Sequence, residues 1–60
     1  MFIQMAEAVS PSGFIQTWVH RVWNSERQAL DACLLDNKHH NSDVIGGTVW
    51  DIYYYITTEG

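Results

Sequence analysis

The sequence holds one cysteine, one proline and three basic residues in 60 positions, and each scarcity removes a class of explanation. With Cys33 alone, no disulfide can form within the chain, so the fold must do without the staple many small domains use. Cys33 lies in an apolar helical pattern, where a buried inert thiol is the plain reading and a reactive or intermolecular thiol the sharper one. Arg21, Arg27 and Lys38 stand against seven acidic residues, for a net charge of −4. That balance repels phosphate backbones and supplies few cations, which sets direct nucleic-acid binding aside. No apolar run approaches the roughly 18 residues of a membrane span, and Met1-Phe2-Ile3-Gln4-Met5 lacks the positive start and long apolar stretch of a signal peptide. The expected location is the cytoplasm, with no membrane partner.

What is present is a globular composition, 47% hydrophobic and 13% aromatic, far from that of a disordered chain. Sixty residues make one domain, 1–60, and a chain this short buries only about 60% of the surface its unfolded form exposes. Met1 to Val9 alternates near period two, Ser10-Pro11-Ser12-Gly13 supplies a turn, and Phe14 to Trp23 is rich in β-branched and aromatic residues. These segments predict a hairpin. Ser25 and Gln28 have the spacing of a capping box, which predicts a helix from about Glu26 to Asn37 with Ala29, Leu30, Cys33, Leu34 and Leu35 on its buried face. Lys38, His39 and His40 follow at the negative end of the helix dipole. Asn41-Ser42-Asp43 reads as a loop, Gly46-Gly47 as a bulge or sharp entry, and Thr48 to Thr58 as the strongest strand. The expected fold is α+β, a three-stranded antiparallel sheet with one helix on one face, in the order β-β-α-β.

If residues 10–13 form the whole hairpin loop, Val9 opposes Phe14, Met5 opposes Trp18 and Ile3 opposes His20. One face then carries Ile3, Met5, Val9, Phe14, Trp18 and Val22, joined by Trp50, Ile52, Tyr54 and Ile56 as the core. The other shows Phe2, Gln4, Ile15, Thr17, Val19, Arg21 and Trp23 with Val49, Asp51, Tyr53 and Tyr55. A shift of one residue in the turn exchanges the hairpin faces. In either register both faces hold aromatics, and one helix cannot cover both, so an apolar surface is left that suits an interaction site.

For chemistry, Cys33, Asp36 and His40 would share one stripe of a helix extended past Asn37, with His39 nearby. A zinc site there would need that extension and a fourth ligand, whereas a solvated helix end needs neither. No second nucleophile motif, phosphate loop or carboxylate pair accompanies them, so neither a cofactor nor an enzymatic activity is expected. His20 in a strand reads as a packed or edge imidazole, and the aromatics lack the cations of a nucleic-acid stacking platform. The acidic residues Glu7, Glu26, Asp31, Asp36, Asp43, Asp51 and Glu59 either keep the chain soluble or form a surface for a basic groove on another protein.

The segment Val22-Trp23-Asn24-Ser25-Glu26-Arg27-Gln28-Ala29-Leu30 is a strand end, a cap and a helix start. With the chain's length, acidity and element order, it resembles small phage-encoded inhibitors of host machinery, of the host RNA polymerase inhibitor or anti-CRISPR type. The resemblance implies a non-enzymatic inhibitor in the host cytoplasm that blocks a nucleic-acid-handling protein complex by protein–protein contact. No functional residue is carried over from it. The partner-binding residues expected from this chain's own pattern are Arg21, Trp23, Asp31, Asp36, Asp51, Tyr53 and Tyr55. The competing expectation is a homodimeric assembly module that pairs through its aromatic sheet face or its long last strand.

Overall fold

A computed structural model describes residues 1–39 and 41–58. Its elements are β1 (Phe2–Val9), β2 (Ile15–Trp23), α1 (Glu26–Lys38), β3 (Ser42–Ile45) and β4 (Thr48–Thr58). All strand pairs are antiparallel, in the spatial order β2-β1-β4-β3. The expected sheet of three strands in the order β-β-α-β is therefore corrected to four strands in the order β-β-α-β-β. The added strand is β3, where a loop was expected. Gly46 and Gly47 both have positive φ, 59° and 81°, the pair of left-handed residues a two-residue hairpin turn requires. They close Ile45 onto Thr48.

The β1–β2 register also differs from the expected one. Ser10 N–H donates to Phe14 O (2.9 Å), Gly13 N–H donates to Ser10 O (3.0 Å), and Gly13 has φ +93°. The loop is thus residues 11–13 between a paired Ser10 and Phe14, a turn followed by a left-handed glycine. Val9 then faces Ile15, not Phe14, and Met5 faces Val19, not Trp18. A further irregularity sits opposite Gln4 and Met5, where Arg21 pairs with Gln4 and Val19 with Met5, leaving His20 as the extra residue of a bulge. The one-residue slip moves Ile3, Met5 and Val9 off the helix-covered face. The bulge swings Arg21 and Trp23 onto it.

Helix α1 begins as the capping pattern predicts: Ser25 Oγ accepts from Gln28 N–H at 3.2 Å. It runs one residue beyond the expected end, and His39, in extended backbone, donates its N–H to Leu35 O. The helix lies over the face formed by Gln4, Ala6 and Ala8 of β1 with Ile52, Tyr54 and Ile56 of β4, as the register places them. The core is made of small side chains: Ala6, Ala8, Ala29 and Cys33 are the buried apolar residues. Leu30, Leu34 and Leu35, expected in the core, are exposed, with Leu34 at 70%. A small residue at Ala29 and Cys33 meets the sheet, and the leucines flank that contact on either side.

Gln4 is the largest fully buried side chain. Its amide joins three elements: Nε2 donates to Asp36 Oδ2 of α1 (2.5 Å), and Oε1 accepts from Trp23 Nε1 of β2 (3.0 Å). A buried amide with both ends satisfied fixes the position of helix and strand relative to each other. Asn37 does the same at the other side of the helix, donating to Tyr54 O (2.9 Å) and accepting from Tyr54 N–H (2.8 Å).

Candidate functional site

The seven residues expected to bind a partner fall into two groups on opposite faces of the sheet. Arg21, Trp23, Asp31 and Asp36 line a groove of about 400 Å³ between α1 and β2, together with Gln4, His20, Gln28, Ala32 and Leu35. The Arg21 guanidinium lies 4.3 Å from the Trp23 ring centre. His20 is 3.8 Å from Asp36 Oδ2 and its ring centre is 4.8 Å from that of Tyr54. Here the polar groups are largely engaged with each other: Trp23 and Asp36 through Gln4, Arg21 with Trp23, His20 with Asp36. Asp31 pairs with Arg27 at 3.9 Å on the outer surface. Burial, and then the Asp36 carboxylate, raise the pKa of the Cys33 thiol and of the Tyr54 phenol. A buried thiol whose pKa is raised holds less thiolate than a free one, in line with the plain reading of Cys33.

Asp51, Tyr53 and Tyr55 belong to the second surface, the sheet face away from the helix. Register places Ile3, Met5, Glu7 and Val9 of β1 there, flanked by Ile15, Thr17, Val19 and Val22 of β2. On the other side stand Asp51, Tyr53, Tyr55 and Thr57, with Val44 and Val49 beyond. No element covers this face among the described residues, and Ile15 (60% exposed), Val49 (54%) and Tyr53 (46%) are open to water. Tyr53 and Tyr55 stand side by side with ring centres 6.4 Å apart. A contiguous apolar surface of this kind costs solvation free energy in a lone monomer and is characteristic of interaction sites.

Charge is divided between the two faces. Glu7 and Asp51 are the charged residues on the open face, whereas Arg21 lies in the groove and Arg27 and Lys38 on the helix. The open face is thus apolar and purely acidic among the described residues. Ile15, Val19 and Val49, expected on the same face as Asp51, Tyr53 and Tyr55 though not among the seven partner-binding residues, do lie there.

The stripe Cys33, Asp36, His40 does not extend along a helix, because α1 ends at Lys38 and His39 is extended. His40 lies outside the described residues, as does Glu59. Among the described residues no group of three or more His, Cys, Asp or Glu side chains could hold a metal ion, and no helix is long and apolar enough to cross a membrane. Neither protein-family models nor curated proteins nor solved structures contain a match to this chain.

Proposed function

We propose that this chain is a non-enzymatic protein-binding module that engages its partner through the open sheet face. The observation that carries the reading is the charge division: an uncovered apolar face whose only charged side chains among the described residues are Glu7 and Asp51. The complementary partner is a protein surface with an apolar floor and a basic rim, the combination found where proteins handle nucleic acids. Tyr53 and Tyr55 supply rigid aromatic contact area and the carboxylates supply orientation. Occupying such a surface would keep nucleic acid from it, which makes the module an inhibitor of a nucleic-acid-handling complex. Trp23 and Asp36 then hold the helix in place through Gln4, and the groove, with Arg21 and Asp31, does not meet the partner.

The test is affinity capture with the tagged chain at low and high salt, using wild type, a Val49→Ser/Tyr53→Ser face variant and a Leu34→Ser helix variant. The reading expects a nucleic-acid-handling protein retained by wild type and the helix variant, released by the face variant and weakened at high salt. Capture that survives the face substitutions, or is lost only in the helix variant, would overturn it.

A further inference from the structure

The edges of the sheet are treated unequally, and the difference identifies a second interaction surface. On the β3 side, the outward N–H of Val44 is taken by the Asp43 carboxylate (2.8 Å), and β3 is only four residues long. Past the end of β3, the outer edge of β4 is occupied in turn: Ile52 N–H donates to Asn41 O (2.9 Å), and Asn37 takes both backbone groups of Tyr54. Side chains and loop thus stand in for a missing strand as far as Tyr54, leaving Ile56 and Thr58 at the strand end. The long last strand is therefore a poor site for self-pairing.

The edge of β2 has no such cover. Antiparallel strands direct backbone groups inward and outward at alternate residues. Counting from the Ser10–Phe14 bond, Ile15, Thr17 and Val19 direct theirs away from β1. The count from the other side agrees, since Tyr54 points outward toward Asn37, so Ala6 opposite it points toward Trp18. Residues 15–19 contain no proline, lysine or other charge, and the bulge begins only at His20. Natural sheets blunt exposed edges with such devices, and the 15–19 stretch of β2 carries none of them.

We infer that two copies of this chain pair antiparallel through the Ile15–Val19 edge of β2, about a two-fold axis at Thr17. The outward residues are symmetric about Thr17, so Ile15 faces Val19 of the second copy, Thr17 faces its own counterpart, and every outward donor meets an acceptor. The side-chain pairs formed on the open face are β-branched with β-branched and threonine with threonine, both favourable across a ladder. On the helix side, Gln16 of one copy lies beside the exposed Trp18 of the other. No acidic residue lies within residues 15–19; the nearest, Glu7, stands one strand in from Thr17 on β1, so raised salt should favour the pairing by screening the like charge of the two copies. The product is a continuous sheet of eight strands with the two open faces side by side.

Thr17→Cys and Ile15→Cys variants test the register under mild oxidation, with light scattering of the wild type alongside. At a two-fold axis through a hydrogen-bonded pair, the Thr17 α-carbons stand about 5.5 Å apart, within disulfide range. The two Ile15 positions are offset by four residues, about 13 Å. Expected are a wild-type mass of twice 6.9 kDa at raised concentration, rapid crosslinking of Thr17→Cys and none of Ile15→Cys. Thr17→Pro, which removes only an outward N–H, should fold by circular dichroism and remain a monomer. A wild type that stays monomeric at millimolar concentration, equal crosslinking at both positions, or a folded Thr17→Pro that still dimerises would overturn the inference. If Thr17→Pro fails to fold, the cysteine pair decides alone.

Discussion

Replacing Gln4 by leucine keeps the side-chain volume close to the original and removes the amide that ties β1 to α1 and β2. Two partners are left behind: Trp23 Nε1–H and the Asp36 carboxylate, at 3.0 and 2.5 Å from the amide in the wild type. A neutral hydrogen bond lost with its partner still partly buried costs about 1 kcal/mol, and a bond to a charged group about 1.5–3. The Asp36 side chain is 34% exposed, so water recovers part of the second value and about 1 kcal/mol is a fair share. Better burial of leucine offsets little, because the abandoned groups cannot follow it. The sum is a loss of roughly 2 kcal/mol, from a total that for 60 residues is about 3–9 kcal/mol at ordinary stability per residue. At about 4–8 °C per kcal/mol for a domain of this size, melting should fall by roughly 8–16 °C. Urea unfolding should show a lower midpoint at unchanged slope. Trp23→Phe, which removes one donor, should cost less, and the Gln4/Trp23 double-mutant cycle should give a coupling of about 1 kcal/mol. A Gln4→Leu protein melting within about 2 °C of wild type, well under the shift expected from 1 kcal/mol, would refute the argument that this amide holds the fold together.

Asn37→Ala should cost about 1 kcal/mol, since both bonds to Tyr54 are exposed, and should aggregate faster by light scattering because the β4 edge is uncovered. Gly47→Ala meets no neighbouring atom, yet its φ of +81° disfavours a β-carbon, so a loss of about 1 kcal/mol is expected in thermal melts, from backbone strain alone. Alkaline pH should weaken the fold: the Cys33 thiol and Tyr54 phenol are raised above ordinary values of 9.0 and 10.0, so the unfolded chain gives up these protons first. Their contribution is complete below pH 9 and disappears as pH rises through the folded values, and the melting temperature should fall steadily above about pH 9.

The parts of the fold legible in the residues were those with a local chemical signature. Ser25 and Gln28 mark the helix start because a cap needs a side-chain oxygen at that spacing, and Thr48 to Thr58 marks β4 by its run of β-branched and aromatic residues. The hairpin register was not legible, because it depends on Gly13 adopting a left-handed conformation and on a bulge at His20, and neither leaves a periodic trace. β3 was missed although Gly46-Gly47 between Val44-Ile45 and Thr48-Val49 has the form of a two-residue hairpin; four residues are too few for alternation to stand out. Asp51, Tyr53 and Tyr55 lie on the face away from the helix, whereas Arg21 and Trp23, expected beside them, lie on the helix side because the bulge at His20 turns them there.

The central claim is that the open sheet face meets the partner and the helix side does not. A photo-crosslinking amino acid placed at Tyr53 in one variant and at Leu34 in another, followed by illumination in cells, tests it directly. The account predicts a crosslinked protein partner from position 53 and none from position 34; crosslinks arising from position 34 alone would contradict it.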